Sequence, residues 1–375
     1  MFSRKSVFII FGLLSLSAFA QQNDIASYDS NMAQVNAVIT NGVKWIDGKF
    51  LPIEGRAFTN VSHYYCRLAD TITTNVNKGV RNMRKHTAGM QFRFRTDSKK
   101  LTVKWTPMNS TLGMDHMPAS GMSGIDVYRF DEDCGKWIYV KTGRISNVKG
   151  ASVEMPWNPG EGCIINLPLY NGIREFSLGI DENAKIEALG VRKSGIAKPV
   201  VFYGTSITHG GCASRPGLSF VNIMGRNLDV PIVNLGFSGS GCGEFEMSEH
   251  VSAIDASCYV MDCVWNMEEN LIVERYEKFV RNLRARRPNI PIIIAEGCDV
   301  YRGGKQSIVA PRNILIRSIY EKLIKEGWKE LYFLPSEGQY LDSESTVDGV
   351  HPNDWGMMQM AKVYGEIVRK ALKLK

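Results

Sequence analysis

A change of hydrophobic rhythm at Ile196-Ala197-Lys198-Pro199 constrains this chain more than any other feature. Beyond it, apolar runs at 200–203, 231–237, 259–265, 291–296 and 331–335 alternate with helix-length amphipathic stretches at 218–227, 271–286, 311–326 and 355–372. Runs apolar on both faces, joined by helical crossovers, predict a parallel five-stranded sheet in a flavodoxin-like three-layer α/β/α domain. Before the break the chain has short alternating segments divided by Gly, Pro, Asn and Asp, at 91–95, 101–105, 124–130, 137–141 and 173–180. Leu101, Val103 and Trp105 fall on one face of such a segment, and a series of them without convincing helices predicts an all-β, jelly-roll-like sandwich. A length of 375 residues accommodates both domains. The expected division is 21–197 for the sandwich and 198–375 for the α/β domain.

Residues 1–20 have the composition of an export signal. Arg4 and Lys5 precede an apolar stretch from Val7 to Leu16, and Ala18-Phe19-Ala20 offers a small-residue cleavage site. The expectation is a mature chain beginning near Gln21, periplasmic or extracellular, without membrane insertion. Two of the charges behind the net +7 belong to Arg4 and Lys5, and the rest form no basic run interleaved with aromatics, which argues against nucleic acid as a partner. Eight cysteines permit disulfides after export, but no C-x-x-C and no His/Cys cluster at zinc spacing occurs, so neither metal nor cofactor is expected. Cys258 and Cys263, inside an apolar run, read as small core residues.

In open α/β sheets the chemistry collects beyond the carboxyl ends of the strands. Those positions hold Gly204-Thr205-Ser206, the segment 236–243 and Asn266, while Asp348 and His351 precede the last helix. A serine at a strand-to-helix turn presents both its hydroxyl and its own N–H, and a carboxylate three residues before a histidine can orient the imidazole. The elbow G-x-S-x-G is absent, as are H-E-x-x-H and G-x-x-x-x-G-K-[ST].

Four segments in order resemble the sequence blocks of the SGNH (GDSL-like) hydrolase superfamily: Tyr203-Gly204-Thr205-Ser206-Ile207-Thr208, Asn234-Leu235-Gly236-Phe237-Ser238-Gly239, Asp262-Cys263-Val264-Trp265-Asn266-Met267 and Asp348-Gly349-Val350-His351-Pro352. The resemblance implies a catalytic triad of Ser206, Asp348 and His351. It also implies an oxyanion hole built from the N–H groups of Ser206 and Gly239 and the side chain of Asn266. Thr205 stands where the blocks usually carry aspartate, and Val264-Trp265-Asn266-Met267 where they carry G-x-N-D. Gly124-Ile125-Asp126-Val127-Tyr128 is similar to the GxDLY motif that marks the N-terminal sandwich of a two-domain subgroup. His209, three residues after Ser206, lies too close in sequence to face its hydroxyl; His63, His86 and His250 have no partner pattern. His116 is a candidate for lining the pocket.

The implied activity is that of an exported serine esterase releasing small O-acyl groups, acetyl above all, from a small ester or an acylated carbohydrate. An O-acyltransferase with the same triad and a catalytically silent carbohydrate-binding protein are the alternatives. The loop 298–310, with Tyr301, Arg302, Gly303, Gly304 and Lys305, is a candidate polar rim.

Overall fold

A strand with one face in a core needs an apolar residue at every second position. The computed structural model describes residues 37–72, 75–301, 304–339 and 342–375, so the export segment, Arg302 and Gly303 lie outside the described residues. The N-terminal strands are β1 (Val38–Thr40), β2 (Val43–Asp47), β3 (Ile53–Glu54), β4 (Gln91–Thr96), β5 (Lys100–Pro107), β6 (Ile125–Asp131), β7 (Lys136–Gly143), β8 (Ala151–Pro156), β9 (Gly162–Asn166), β10 (Ile173–Asp181) and β11 (Ile186–Ala188). They form two antiparallel sheets ordered β1-β2-β10-β5-β8 and β11-β4-β9-β6-β7, with β3 added to β4. Leu101, Val103 and Trp105 of β5 point between the sheets and meet Phe92 and Phe94 of β4 and Ile125 and Val127 of β6. The buried Trp105 indole donates to the Ser123 carbonyl at 3.0 Å, so its one polar atom costs nothing there.

The C-terminal strands β12 (Val200–Gly204), β13 (Ile232–Gly236), β14 (Cys258–Asp262), β15 (Ile292–Ala295) and β16 (Leu331–Leu334) are all parallel, ordered β13-β12-β14-β15-β16. Val200 and Phe202 of β12 face the helices Phe220–Leu228 and Asp354–Ala371, while Val201 and Tyr203 face Phe245–Ala253, Glu277–Arg286 and Ala310–Lys325. Both faces being covered, every residue of β12 is buried, and this is why the strand reads as a continuous apolar run. The helix Phe220–Leu228 begins where Ser219 accepts the N–H of Asn222 and ends at Asp229, which takes a left-handed conformation. It buries Phe220, Val221, Ile223, Met224 and Leu228, each worth about 1.5–3 kcal/mol in removal from water.

Two elements differ from the sequence reading. The run 259–265 is a strand only as far as Asp262, because β12 ends opposite it at Gly204; beyond, Val264–Asn266 closes into a 3-10 turn. The helix Phe245–Ala253 was not legible, since Ser248 and Ser252 share its buried face with Met247 and Val251 and blur the apolar period. All eight cysteines are unpaired, and Cys258 and Cys263 pack in the core as expected.

Candidate active site

The carboxyl end of β12 is forced into a tight approach. A Cβ on Gly204 would come within 2.0 Å of Thr208 Oγ1 and 2.6 Å of the Asp262 carbonyl, so only glycine lets the chain turn there. Thr205 then caps a single helical turn, Ser206–His209, its hydroxyl accepting the N–H of Ile207 at 3.2 Å. As the turn's first residue, Ser206 has no acceptor for its N–H within the helix, and none is found among the other described contacts.

Ser206 Oγ lies 2.8 Å from His351 Nε2, and His351 Nδ1 lies 2.7 Å from Asp348 Oδ2. Asp348 Oδ1 accepts the N–H groups of Val350 at 3.0 Å and His351 at 2.7 Å, so the segment 348–351 closes on its own carboxylate. Burial pushes the Asp348 carboxyl up, but those two N–H groups and the imidazole outweigh it and hold the group below the ordinary carboxylate range. A charged Asp348 fixes the tautomer with a bare Nε2, which can accept the serine proton, and stabilises the imidazolium that results.

Beside this chain lies the turn that follows β13. The Phe237 carbonyl accepts the N–H groups of Ser240 and Gly241, each at 3.0 Å, and Asn266 Nδ2, also at 3.0 Å. Gly239 sits within the turn at φ +60°, a conformation natural to glycine, and its N–H donates to no protein acceptor among the described contacts. The Asn266 amide keeps a second hydrogen beyond the one given to Phe237. Ser206, Gly239 and Asn266, each at the carboxyl end of the parallel sheet, thus offer three donors of the kind that can serve a negatively charged oxygen.

The sandwich contributes directly. Asp126, within the Gly124–Tyr128 motif, is fully buried; it accepts from Asn166 Nδ2 at 2.9 Å, from the Gly217 N–H, and from Arg215 Nη1 at 2.6 Å. Tyr128 also bonds Arg215, so the motif grips the loop that leaves the serine turn. The Tyr170 hydroxyl donates to the Ser206 carbonyl at 2.9 Å. His116, at the tip of the Met114–Met117 turn, brings its ring within 6.0 Å of the His351 ring.

The other histidines fall elsewhere. His209 is fully buried, stacked on Tyr170 at 4.1 Å, with Nε2 taking an N–H from Arg67 at 3.3 Å; burial and then the Arg67 charge hold it well below its ordinary range, so it is neutral. His86 lies 5.3 Å from it, His63 bonds the Ile173 carbonyl, and His250 stands near Phe58 and Glu246. Sequence reasoning missed Arg67 and Tyr170. The only trace of Arg67 was a lone cation in the run Tyr64-Tyr65-Cys66-Arg67-Leu68-Ala69. Among the described residues no group of three or more His, Cys, Asp or Glu is placed to hold a metal, and no helix is long and apolar enough to cross a membrane.

Residues 197–369 match the GDSL-like lipase/acylhydrolase family, and residues 43–186 match the N-terminus of SGNH-hydrolase-type esterases. A solved structure from Bacteroides ovatus, described as a GDSL-like lipase, is similar over 89% of this chain and 99% of its own at 28% identity and a TM-score of 0.78. A salicylyl-acyltransferase from a tetracycline biosynthetic pathway is similar over 90% of this chain and 100% of its own, at 17% identity and 0.72. A family two carbohydrate esterase from Cellvibrio japonicus is similar over 88% and 98%, at 12% identity and 0.58. These last two share the fold. No curated protein matches the sequence.

Proposed function

This chain, a GDSL-like acylhydrolase domain behind the N-terminal domain of SGNH-type esterases, belongs to the SGNH esterases, and from that premise we propose that Ser206 is its nucleophile, His351 its base and Asp348 the group that orients the base. The observation that carries the reading is the unbroken line Ser206 Oγ, His351 Nε2, His351 Nδ1, Asp348 Oδ2, with contacts of 2.8 and 2.7 Å. His351 takes the proton of Ser206 as Oγ bonds to the ester carbonyl carbon, and the carbonyl oxygen becomes the oxyanion. The N–H groups of Ser206 and Gly239 and the free amide hydrogen of Asn266 bind it; removing one such donor typically costs about 3–4 kcal/mol of transition-state stabilisation. The imidazolium then protonates the departing alcohol oxygen as the C–O bond breaks. Water, deprotonated by His351, releases the acyl group from Ser206 by the same steps in reverse roles.

The substrate we propose is a carbohydrate bearing small O-acyl groups, acetyl above all. Tyr301 is 47% exposed, with its hydroxyl 3.2 Å from where a Cβ of Gly349 would lie, in the triad loop. Trp355 is 61% exposed and follows Asp354, which binds Ser214 in the loop after the serine turn. The exposed ring of Tyr301 beside the triad loop, with that of Trp355 four residues after His351 in the sequence, offers flat apolar faces of the kind on which sugar rings settle, with polar edges left for hydroxyl groups. The export signal read in residues 1–20 supports a setting outside the cytoplasm, where acylated glycans occur.

A series of p-nitrophenyl esters of increasing chain length, followed by acetate release from acetylated polysaccharides, tests both parts. We expect acetyl esters to be preferred and Ser206→Ala to abolish turnover. A preference for acyl chains of eight or more carbons with no acetate released from any glycan would sink the substrate assignment. Acyl transfer to an added sugar alcohol in preference to water would make the enzyme a transferase with the same triad.

A further inference from the structure

Arg67 is 1% exposed, yet no carboxylate among the described residues lies within ion-pair distance of it. A buried charge without a counter-ion is costly, so a chain that keeps one there must gain something from its hydrogen bonds. Burial lowers the guanidinium only to about 9, so it is charged at neutral pH. Its acceptors are neutral and come from both halves of the molecule. Nη1 donates to the carbonyls of Gly236 at 2.7 Å and Asn234 at 3.1 Å, while Nη2 donates to the Met83 carbonyl at 2.8 Å and to His209 Nε2 at 3.3 Å. The guanidinium also covers the Phe237 ring, 4.6 Å from its centroid.

These contacts converge on the two turns that would do the chemistry. The peptide unit joining Gly236 to Phe237 points its carbonyl at Arg67 and its N–H at the Gly204 carbonyl, 3.0 Å away and two residues before Ser206. One rigid peptide therefore couples the guanidinium to the base of the serine turn. His209, which accepts from Arg67, is the last residue of that turn and stacks on Tyr170, whose hydroxyl donates to the Ser206 carbonyl at 2.9 Å. Arg67 thus holds the start of the turn after β13 on one side and the end of the serine turn on the other.

We infer that Arg67 is a positioning residue for the oxyanion site: it fixes the 236–241 turn against the Ser206–His209 turn, making the N-terminal domain part of the machinery that binds the transition state. The inference rests on the oxyanion roles proposed for Gly239 and Asn266. It assigns Arg67 no contact with substrate.

Steady-state kinetics on p-nitrophenyl acetate, with active sites counted by fluorophosphonate titration and melting temperatures recorded, test it on Arg67→Lys, Phe237→Leu and Asn266→Ala. The lysine keeps the charge but cannot span three carbonyls and an imidazole. We expect kcat per titrated site to fall roughly tenfold or more in Arg67→Lys with KM within about twofold, because misplaced donors weaken the transition state and not the ground state. Affinity for a boronic acid, whose adduct with Ser206 places an oxygen in the oxyanion site, should fall with kcat/KM. Phe237→Leu, which loosens the guanidinium without burying a new polar group, should shift kcat in the same direction by a smaller factor. A folded Arg67→Lys with kcat per site and boronate affinity within about twofold of wild type, differing only in melting temperature, overturns the inference. If that variant does not fold, Phe237→Leu decides on the same criteria. An unaffected Asn266→Ala would instead remove the oxyanion reading itself, whatever Arg67 does.

Discussion

Arg215 and Arg67 both sit where the two halves of the molecule meet, but only Arg215 meets a carboxylate. Arg215 reaches from the loop after the serine turn to Asp126 of the sandwich at 2.6 Å and lies over the ring of Tyr139 at 4.2 Å. Arg67 reaches the other way and ends on carbonyls and a neutral imidazole. A pair with one partner buried and the other partly so has its charges cancelled and its geometry fixed, which suits a fastening. A buried charge with neutral partners can hold several backbone segments at once, which suits positioning, and it leaves its field in place beside the site. Asp262 is the anionic counterpart of Arg67. It is buried under the same turn, held by the hydroxyls of Thr208 at 2.6 Å and Tyr364 at 2.9 Å, and burial pushes its carboxyl up to about 6 despite those bonds.

The largest effect should come from breaking the paired arginine. Asp126→Ala removes the carboxylate of the partly buried Arg215 and, together with it, the buried acceptor of the Gly217 N–H and of Asn166 Nδ2, a combined loss of roughly 2–4 kcal/mol. Urea unfolding should show a loss of that order, with kcat per titrated site close to wild type. A loss under about 1 kcal/mol would mean that the Asp126 contact is not a fastening.

Next in size is a pH effect at Asp262. Its folded pKa is raised from 3.8 to about 6, so between those values the unfolded chain gives up a proton that the folded one retains, and folding loses stability as pH rises. The loss reaches about 3 kcal/mol above pH 6, at 1.36 kcal/mol per unit. Asp262→Asn lacks this loss. Its melting temperature relative to wild type should therefore climb between about pH 4 and 6 and level off above, over a constant deficit from its weaker bonds to Thr208 and Tyr364. A difference independent of pH would show that Asp262 titrates as an ordinary carboxylate.

The smallest and most discriminating change is Arg215→Lys, which keeps the ion pair while losing the stacking on Tyr139 and the link to Tyr128. We expect a loss of about 1–2 kcal/mol in stability and no change in kcat, the reverse of Arg67→Lys. If both lysine variants lower kcat alike, the contrast between fastening and positioning disappears.

What the sequence revealed follows the same division. Asp348 and His351 are three residues apart and meet within one turn, and Ser206 lies at the end of an apolar run, so local pattern and block order sufficed to bring them forward. The GxDLY-like segment was visible as a motif, but its grip on Arg215 and Gly217 spans some 90 residues and no pattern in either segment announces it. The contacts of Arg67 and Tyr170 with the two turns arise only where one half of the chain packs on the other, Arg67 reaching 169 residues along the chain to Gly236 and Tyr170 reaching 36 to Ser206. A cation inside an apolar run hints at a buried charge; where it reaches depends on a tertiary contact.

Fluorophosphonate labelling followed by peptide mapping tests the central claim most directly, since the reagent phosphonylates a serine only where a base and an oxyanion site activate it. The account predicts one adduct per chain, on the peptide containing Ser206, absent from Ser206→Ala and slowed by several decades in His351→Ala, with ester turnover lost in parallel. An adduct on any other residue, or a Ser206→Ala protein that keeps more than about a tenth of the wild-type kcat where such losses normally span decades, would contradict it.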